Sequence, residues 1–196
     1  MNRYIGFEKN FGQVQSFEGT TVYDVLFRAK LEGYGIFITK KGVSYVIYTP
    51  SERNTEYARI DIELIGSKLR EENISYEEPL PGYSNYYLPS CPGGVLWVMT
   101  YRKVRIKDVY PGIDWVWRYD GEKVHHEFEV KKRGDVSRIK MRVTGADVEL
   151  KDDGKKLTFS TPLGKIEDGE LRSFGKSSLR EFEVFYKKDR HGIIFH

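Results

Sequence analysis

From Val22 to Phe195 the chain is a succession of short runs in which apolar and polar residues alternate, most of them closed by Gly, Pro or an Asp-Gly pair. A period of two sends successive side chains to opposite faces of an extended chain and does not fit an amphipathic helix. Val22 to Ala29 alternates in this way, with Val22, Leu26 and Phe27 set against Asp24 and Arg28. Gly35 to Thr39 and Val43 to Tyr48 flank Lys40-Lys41-Gly42 and predict a hairpin. In Tyr57 to Ile65, Ile60, Ile62 and Leu64 share one face while Asp61 and Glu63 take the other. Val95 to Val104 reads as one strand or two, and Asp120-Gly121 joins Ile113–Tyr119 to Lys123–Val130. Ser137–Thr144, Asp147–Leu150, Leu157–Ser160, Glu181–Tyr186 and Gly192–Phe195 continue the pattern. A helix at Lys68–Asn73 is too short to stand alone. The expected fold is all-β and β-sandwich-like.

Composition agrees. Fourteen Tyr and eleven Phe sit among many Val, Ile and Thr, and 19 Gly and seven Pro are spread along the 196 residues. Ser67 to Gly94 is the least regular stretch and reads as a crossover connection carrying short strands, with Tyr86-Tyr87 pinned against the core. Arg59–Gly66 echoes Arg138–Gly145 in spacing and character. Two readings stay open: lobes 1–90 and 95–196 packed as one body within a single module over 1–196, or a chance likeness between alternating strands that end in Gly.

Charge excludes little but points away from nucleic acid. The net charge of +3 arises from 32 basic and 29 acidic residues, and the densest basic run, Lys131-Lys132-Arg133, continues into Gly134-Asp135 as a solvated turn. Glutamine occurs only at Gln13 and Gln15 in a chain that is 31% charged, a usage that suggests a thermophilic source. No stretch approaches the ~20 apolar residues of a membrane helix, so membrane insertion is not expected. Met1 to Gln13 does not read as a secretory signal.

Candidate chemistry is sparse. Cys91 is the only cysteine, so an intramolecular disulfide or a thiolate metal cluster cannot form. His125 and His126 are adjacent and point to opposite strand faces, and His191 and His196 show no ligand spacing, so neither metal nor cofactor is expected. In Tyr110-Pro111-Gly112-Ile113-Asp114, Pro and Gly suit a type II turn, and Asp114 either bonds the turn's backbone or points into a cleft as a ligand or acid. Trp115 and Trp117 share a face with Ile113; together with Trp97 they form a stacking platform for sugars or else fill the core. Asp114, Glu127 and His125, with Glu129 nearby, are the residues a hydrolase of surface polymers would use. Ile193, Ile194 and Phe195 form an apolar terminal strand suited to edge pairing between subunits.

Tyr101 to Asp114, ending in Tyr-Pro-Gly-Ile-Asp, resembles the most recognisable motif of a bacterial domain found at the N-terminus of surface proteins with SBBP (β-propeller-like) repeats and of gliding-motility-associated proteins. Phe7 to Gln13 is similar to its opening F-x-x-N-x-G-Q, Gly35–Tyr48 to its hairpin, and Asn85-Tyr86-Tyr87 to its Asn-Tyr-Phe element. His126–Val130 with Ile139–Gly145, and Thr158–Gly164, resemble later segments, whereas Lys132-Arg133-Gly134-Asp135 replaces the family's Pro-Gly-Ala turn. The family runs on beyond Phe195, so either this is a piece of a longer protein or its last strand finds another partner.

The resemblance implies an exported or cell-surface β domain without an established activity. The expected function is a non-catalytic structural or assembly module (adhesion, scaffold or filament subunit) whose partner is protein, including a second copy. A carbohydrate-binding module is the first alternative and a surface-polymer hydrolase the second.

Overall fold

The computed structural model describes residues 5–49, 55–175, 178–181, 184–189 and 192–195. Its first strands are β1 (Phe7–Lys9), β2 (Val25–Lys30), β3 (Tyr34–Thr39), β4 (Gly42–Thr49), β5 (Glu56–Leu64) and β6 (Ile74–Pro79). The middle of the chain forms β7 (Ser84–Leu88), β8 (Cys91–Val98), β9 (Thr100–Tyr110), β10 (Ile113–Tyr119), β11 (Val124–Val130) and β12 (Lys140–Thr144). The last third adds β13 (Asp147–Lys151), β14 (Lys156–Thr161), β15 (Gly164–Asp168), β16 (Phe174–Gly175), β17 (Ser178–Glu181), β18 (Tyr186–Asp189) and β19 (Gly192–Phe195). Helical structure among the described residues is confined to three 3-10 turns, one of which, Glu71–Asn73, takes the place of the short helix considered at Lys68–Asn73.

One antiparallel sheet of twelve strands dominates, ordered β11-β10-β9-β1-β2-β3-β4-β5-β12-β19-β18, with β6 on β9. It bends back over its own apolar face, because Phe128 of β11 meets Phe195 of β19 edge-on with ring centroids 5.6 Å apart. Sheet β13-β14-β15 adds Leu157 and Phe159 to the same hydrophobic cluster. The layering follows from alternation: Ile60, Ile62 and Leu64 of β5 and Ile113, Trp115 and Trp117 of β10 all point inward. This is an all-β, sandwich-like fold.

The sheet runs unbroken across the division at 90–95, with β1 paired between β9 and β2. The sequence echo has a different geometry. β5 and β12 are antiparallel neighbours, and Glu63 and Arg142, which occupy the same position in the echo, face each other in an ion pair of 3.1 Å. β4 flanks β5 as β19 flanks β12, and a Cβ on either Gly42 or Gly192 would overlap a carbonyl oxygen, of Ile62 or Met141 respectively. The pairing pattern of the six strands β3-β4-β5-β12-β19-β18 thus repeats about a point between Glu63 and Arg142. Chain order does not follow it, since β5 succeeds β4 whereas β12 precedes β19.

The opening motif is a structural plug. Asn10 Nδ2 donates to the carbonyls of Val22 (2.8 Å) and Val25 (2.9 Å), and its Oδ1 accepts from the amides of Gly12 (2.9 Å) and Val14 (3.2 Å). Buried Gln13 spans Lys9 O and Phe11 N in the same way, at 2.6 Å each. Asn10→Ala leaves four backbone groups without that partner, and is expected to cost about 3 kcal/mol. A urea titration checks this: the midpoint falls with an unchanged slope.

Candidate functional site

β10 places its side chains as its alternation dictates, and this decides between the two readings of its tryptophans. Trp115 and Trp117 are each 1% exposed and pack with Phe7, His126 and Phe128. They are core, so the β10 sugar platform is corrected: a ring buried on the inner face of the bent sheet presents no face to a ligand. Trp97 is the opposite case, at 64% exposed.

Asp114 lies on the outer face of the same strand but is not free. Its side chain is 7% exposed and accepts from Lys131 Nζ at 2.7 Å, Arg105 Nη1 at 3.3 Å and the Asp108 amide at 2.9 Å. Gly112 has φ +75°, as the third position of a type II turn requires. Behind this turn β9 bulges through Asp108, whose φ is +48°, and the Asp114 carboxylate pins the bulge. Burial opposes ionisation of Asp114, but Lys131, the Asp108 amide and Arg105 outweigh it and hold the carboxyl below its ordinary range. Arg105 is also held bidentate by Glu129 (2.7 and 2.9 Å) and touched by Glu77 (3.3 Å), so one ion network ties β6, β9, β10 and β11 together.

The hydrolase arrangement does not assemble. Glu127 pairs with Arg118 at 3.2 Å and His125 with Asp120 at 2.6 Å, so neither side chain is turned to Asp114. Asp114 sits opposite Glu129, four residues along β11 from His125, which is about 13 Å at ~3.3 Å per residue. Three groups on two neighbouring strands, each bonded to a different partner, do not converge on one another.

His126, on the inner face, belongs to a polar chain that the sequence did not reveal. Trp115 Nε1 donates to its Nδ1 at 3.2 Å, its Nε2 lies 3.5 Å from Asp168 Oδ1, and Tyr186 Oη donates to Asp168 Oδ2 at 3.0 Å. The chain closes the seam between β10–β11 and β15–β18, and with both ring nitrogens engaged His126 offers no lone pair to a metal or substrate. Burial disfavours the Asp168 anion, yet the bonds from His126 and Tyr186 keep its carboxyl below the usual range. His191 and His196 lie outside the described residues. Half-buried Cys91 opens β8, paired with Leu88.

The terminal strand is also inside. Ile193 is 3% and Phe195 5% exposed, Ile194 is half-buried, and β19 pairs with β12 on one side and β18 on the other. The exposed donor strand expected at Ile193, Ile194 and Phe195 is therefore corrected, because both of its backbone edges are taken.

What the fold does display is the β7–β8 ribbon. Its inner residue Tyr86 donates to both Glu8 carboxylate oxygens (2.8 and 2.7 Å), while buried Arg28 bonds Glu8 and lies over the Tyr86 ring at 5.2 Å. This latch fixes the ribbon to the outer face of β1–β2 and leaves Tyr87, Leu96 and Trp97 outward. Leu96 and Trp97 form a bulge opposite Asn85, whose Oδ1 accepts the Trp97 amide at 2.9 Å. Trp97 has φ +62°, a strained value for a bulky side chain, and exposed Tyr83 packs on its ring with centroids 4.1 Å apart and planes 51° from parallel. Tyr87 lies over Gly94, where a Cβ would come within 2.9 Å of its ring. A signal for this ribbon was present in the sequence: residues 79–101 contain no Asp, Glu, Lys, Arg or His in a chain that is 31% charged.

Among the described residues no helix is long and apolar enough to cross a membrane. Comparison with curated proteins and with solved structures gives no match. Residues 7–196 match the family model described as Domain of unknown function (DUF7948). The chain belongs to the DUF7948 family.

Proposed function

We propose that this chain is a non-catalytic recognition module of a bacterial cell-surface protein, serving adhesion or scaffolding, and that it meets its partner through the β7–β8 ribbon. The resemblance of Tyr101–Asp114 to a domain preceding SBBP repeats supports the location. One observation carries the role: Trp97 is held out to solvent at a positive φ, pinned by Asn85 and packed at a tilt on Tyr83. A strained backbone persists only where its surroundings over-determine it, and such outliers gather at binding sites. Folding alone would favour Gly at Trp97.

The test uses Trp97→Gly, a residue suited to that φ, combined with Tyr83→Ala. The parent chain is expected to co-sediment with washed bacterial envelopes, and the double variant to stay in the supernatant with a melting temperature no lower than the parent's. Equal sedimentation of parent and variant, or none by the parent, would refute the reading.

A further inference from the structure

We infer that the ribbon's ligand is an uncharged polysaccharide, bound along a row of aromatic side chains that runs from Trp97 to Tyr57; this rests on the recognition role proposed above. The row has two paired-ring stations. One is Tyr83–Trp97. The other is Phe17–Tyr57, both exposed, with ring centroids 3.8 Å apart and planes tilted by 37°. Between them Tyr87 is exposed on β7, and Gln15 Nε2, two residues before Phe17, bonds Ser90 Oγ at the ribbon's turn. From Tyr83 to Ser90 the ribbon covers roughly 20 Å at ~3.3 Å per residue, enough for several linked sugars.

The chemistry selects the ligand class. The C–H face of a pyranose is apolar and packs flat on Trp or Tyr, while its hydroxyls hydrogen-bond to donors and acceptors beside the rings, uncharged ones included. The row supplies both: Trp97, Tyr83, Tyr87, Phe17 and Tyr57 as faces, and tyrosine hydroxyls with Ser90 and Gln15 between them. Charge decides against other partners. With no Lys, Arg or His in residues 79–101, the ribbon cannot neutralise the phosphates of a nucleic acid, nor anchor to an anionic membrane. A protein interface would have a contiguous apolar centre, whereas the two ring pairs are separated by the polar Asn85, Ser90 and Gln15, with exposed Glu18 and Glu56 beside the second pair.

Trp97 also provides the readout. The chain has three tryptophans, and Trp115 and Trp117 are each 1% exposed, so a ligand-induced change in indole emission or acrylamide quenching reports Trp97. The intact chain is titrated with laminarin, xyloglucan and galactomannan, and with alginate as a charged control. The expected result is a blue shift and reduced quenching with at least one neutral polymer and none with alginate. Trp97→Gly should weaken binding at least tenfold in affinity electrophoresis. Phe17→Ala with Tyr57→Ala should weaken the polymer severalfold without changing binding of a short oligosaccharide.

Envelope sedimentation separates the ligand class from the recognition role. Binding destroyed by periodate oxidation of the envelopes and kept after protease supports a glycan. Binding that depends on Trp97, survives periodate and is lost to protease overturns the glycan while leaving the recognition role intact. Self-association abolished by Trp97→Gly, with no polysaccharide response, overturns it in favour of a second copy. Absence of any response to polymers and envelopes refutes both readings.

Discussion

Trp117→Ala is expected to destabilise the fold by about 4 kcal/mol, the loss typical of a buried Trp cut to Ala. Trp97→Ala should stay within about 0.5 kcal/mol of the parent, as most exposed substitutions do. Trp117 is 1% exposed and packs against Phe7, Trp115 and His126, so the truncation removes both apolar burial and its lining contacts. With domain stabilities of roughly 5–15 kcal/mol, a loss of that size leaves little in reserve. Paired urea melts of the two variants test the assignment of one indole to the core and the other to the ligand face. A loss for Trp97→Ala as large as that for Trp117→Ala would place the ribbon indole in a structural role and remove the case for recognition there.

Asp114→Ala has the next largest expected effect, about 3 kcal/mol, because it leaves Arg105 and Lys131 facing each other's charge without the shared carboxylate and releases the Asp108 amide. The pH dependence has a definite sign. The folded-state carboxyl titrates below its unfolded value of ~3.9, so its contribution is present in full above that value and is lost as pH falls through the folded-state value. Asp114→Asn keeps the shape and removes the titration, so its stability should decline less steeply than the parent's below about pH 4. Unfolding midpoints measured between about pH 6 and 2.5 make the comparison. Parallel curves would mean that the network on the outer face of β9–β11 contributes nothing through Asp114.

The Tyr-Pro-Gly-Ile-Asp motif is therefore architectural. Tyr110 to Asp114 turns β9 into β10, and Asp114 locks the bulge behind the turn; Asn10 and Gln13 hold the chain in a similar way just after β1. The ribbon residues proposed to meet a ligand, Tyr83, Tyr87 and Trp97, lie in a segment whose sequence signal is the absence of charge rather than a pattern of reactive groups.

Much of the fold was legible from residue pattern alone, because strand alternation is a local property. The period of two in Ile60–Ile62–Leu64 and in Ile113–Trp115–Trp117 fixes which side chains share a face, and Lys40-Lys41-Gly42 and Asp120-Gly121 fix where the chain reverses. Which face is covered is not local. The same alternation leaves Trp115 and Trp117 equally suited to a sugar platform and to a core, and only the bending of the sheet, which brings β19 over β11, buries them. The same holds for the terminal strand, apolar enough to donate to a neighbour until β12 and β18 take both its edges. Trp97, a candidate alongside Trp115 and Trp117, was undecided for a related reason: its exposure depends on a bulge and on a latch between Tyr86, Glu8 and Arg28, groups up to 78 residues apart in sequence. Sequence by itself determined the strands, the turns and the all-β class, since these rest on neighbouring residues. The tertiary structure alone decided which aromatics meet solvent, since that depends on which distant strands come to lie over them.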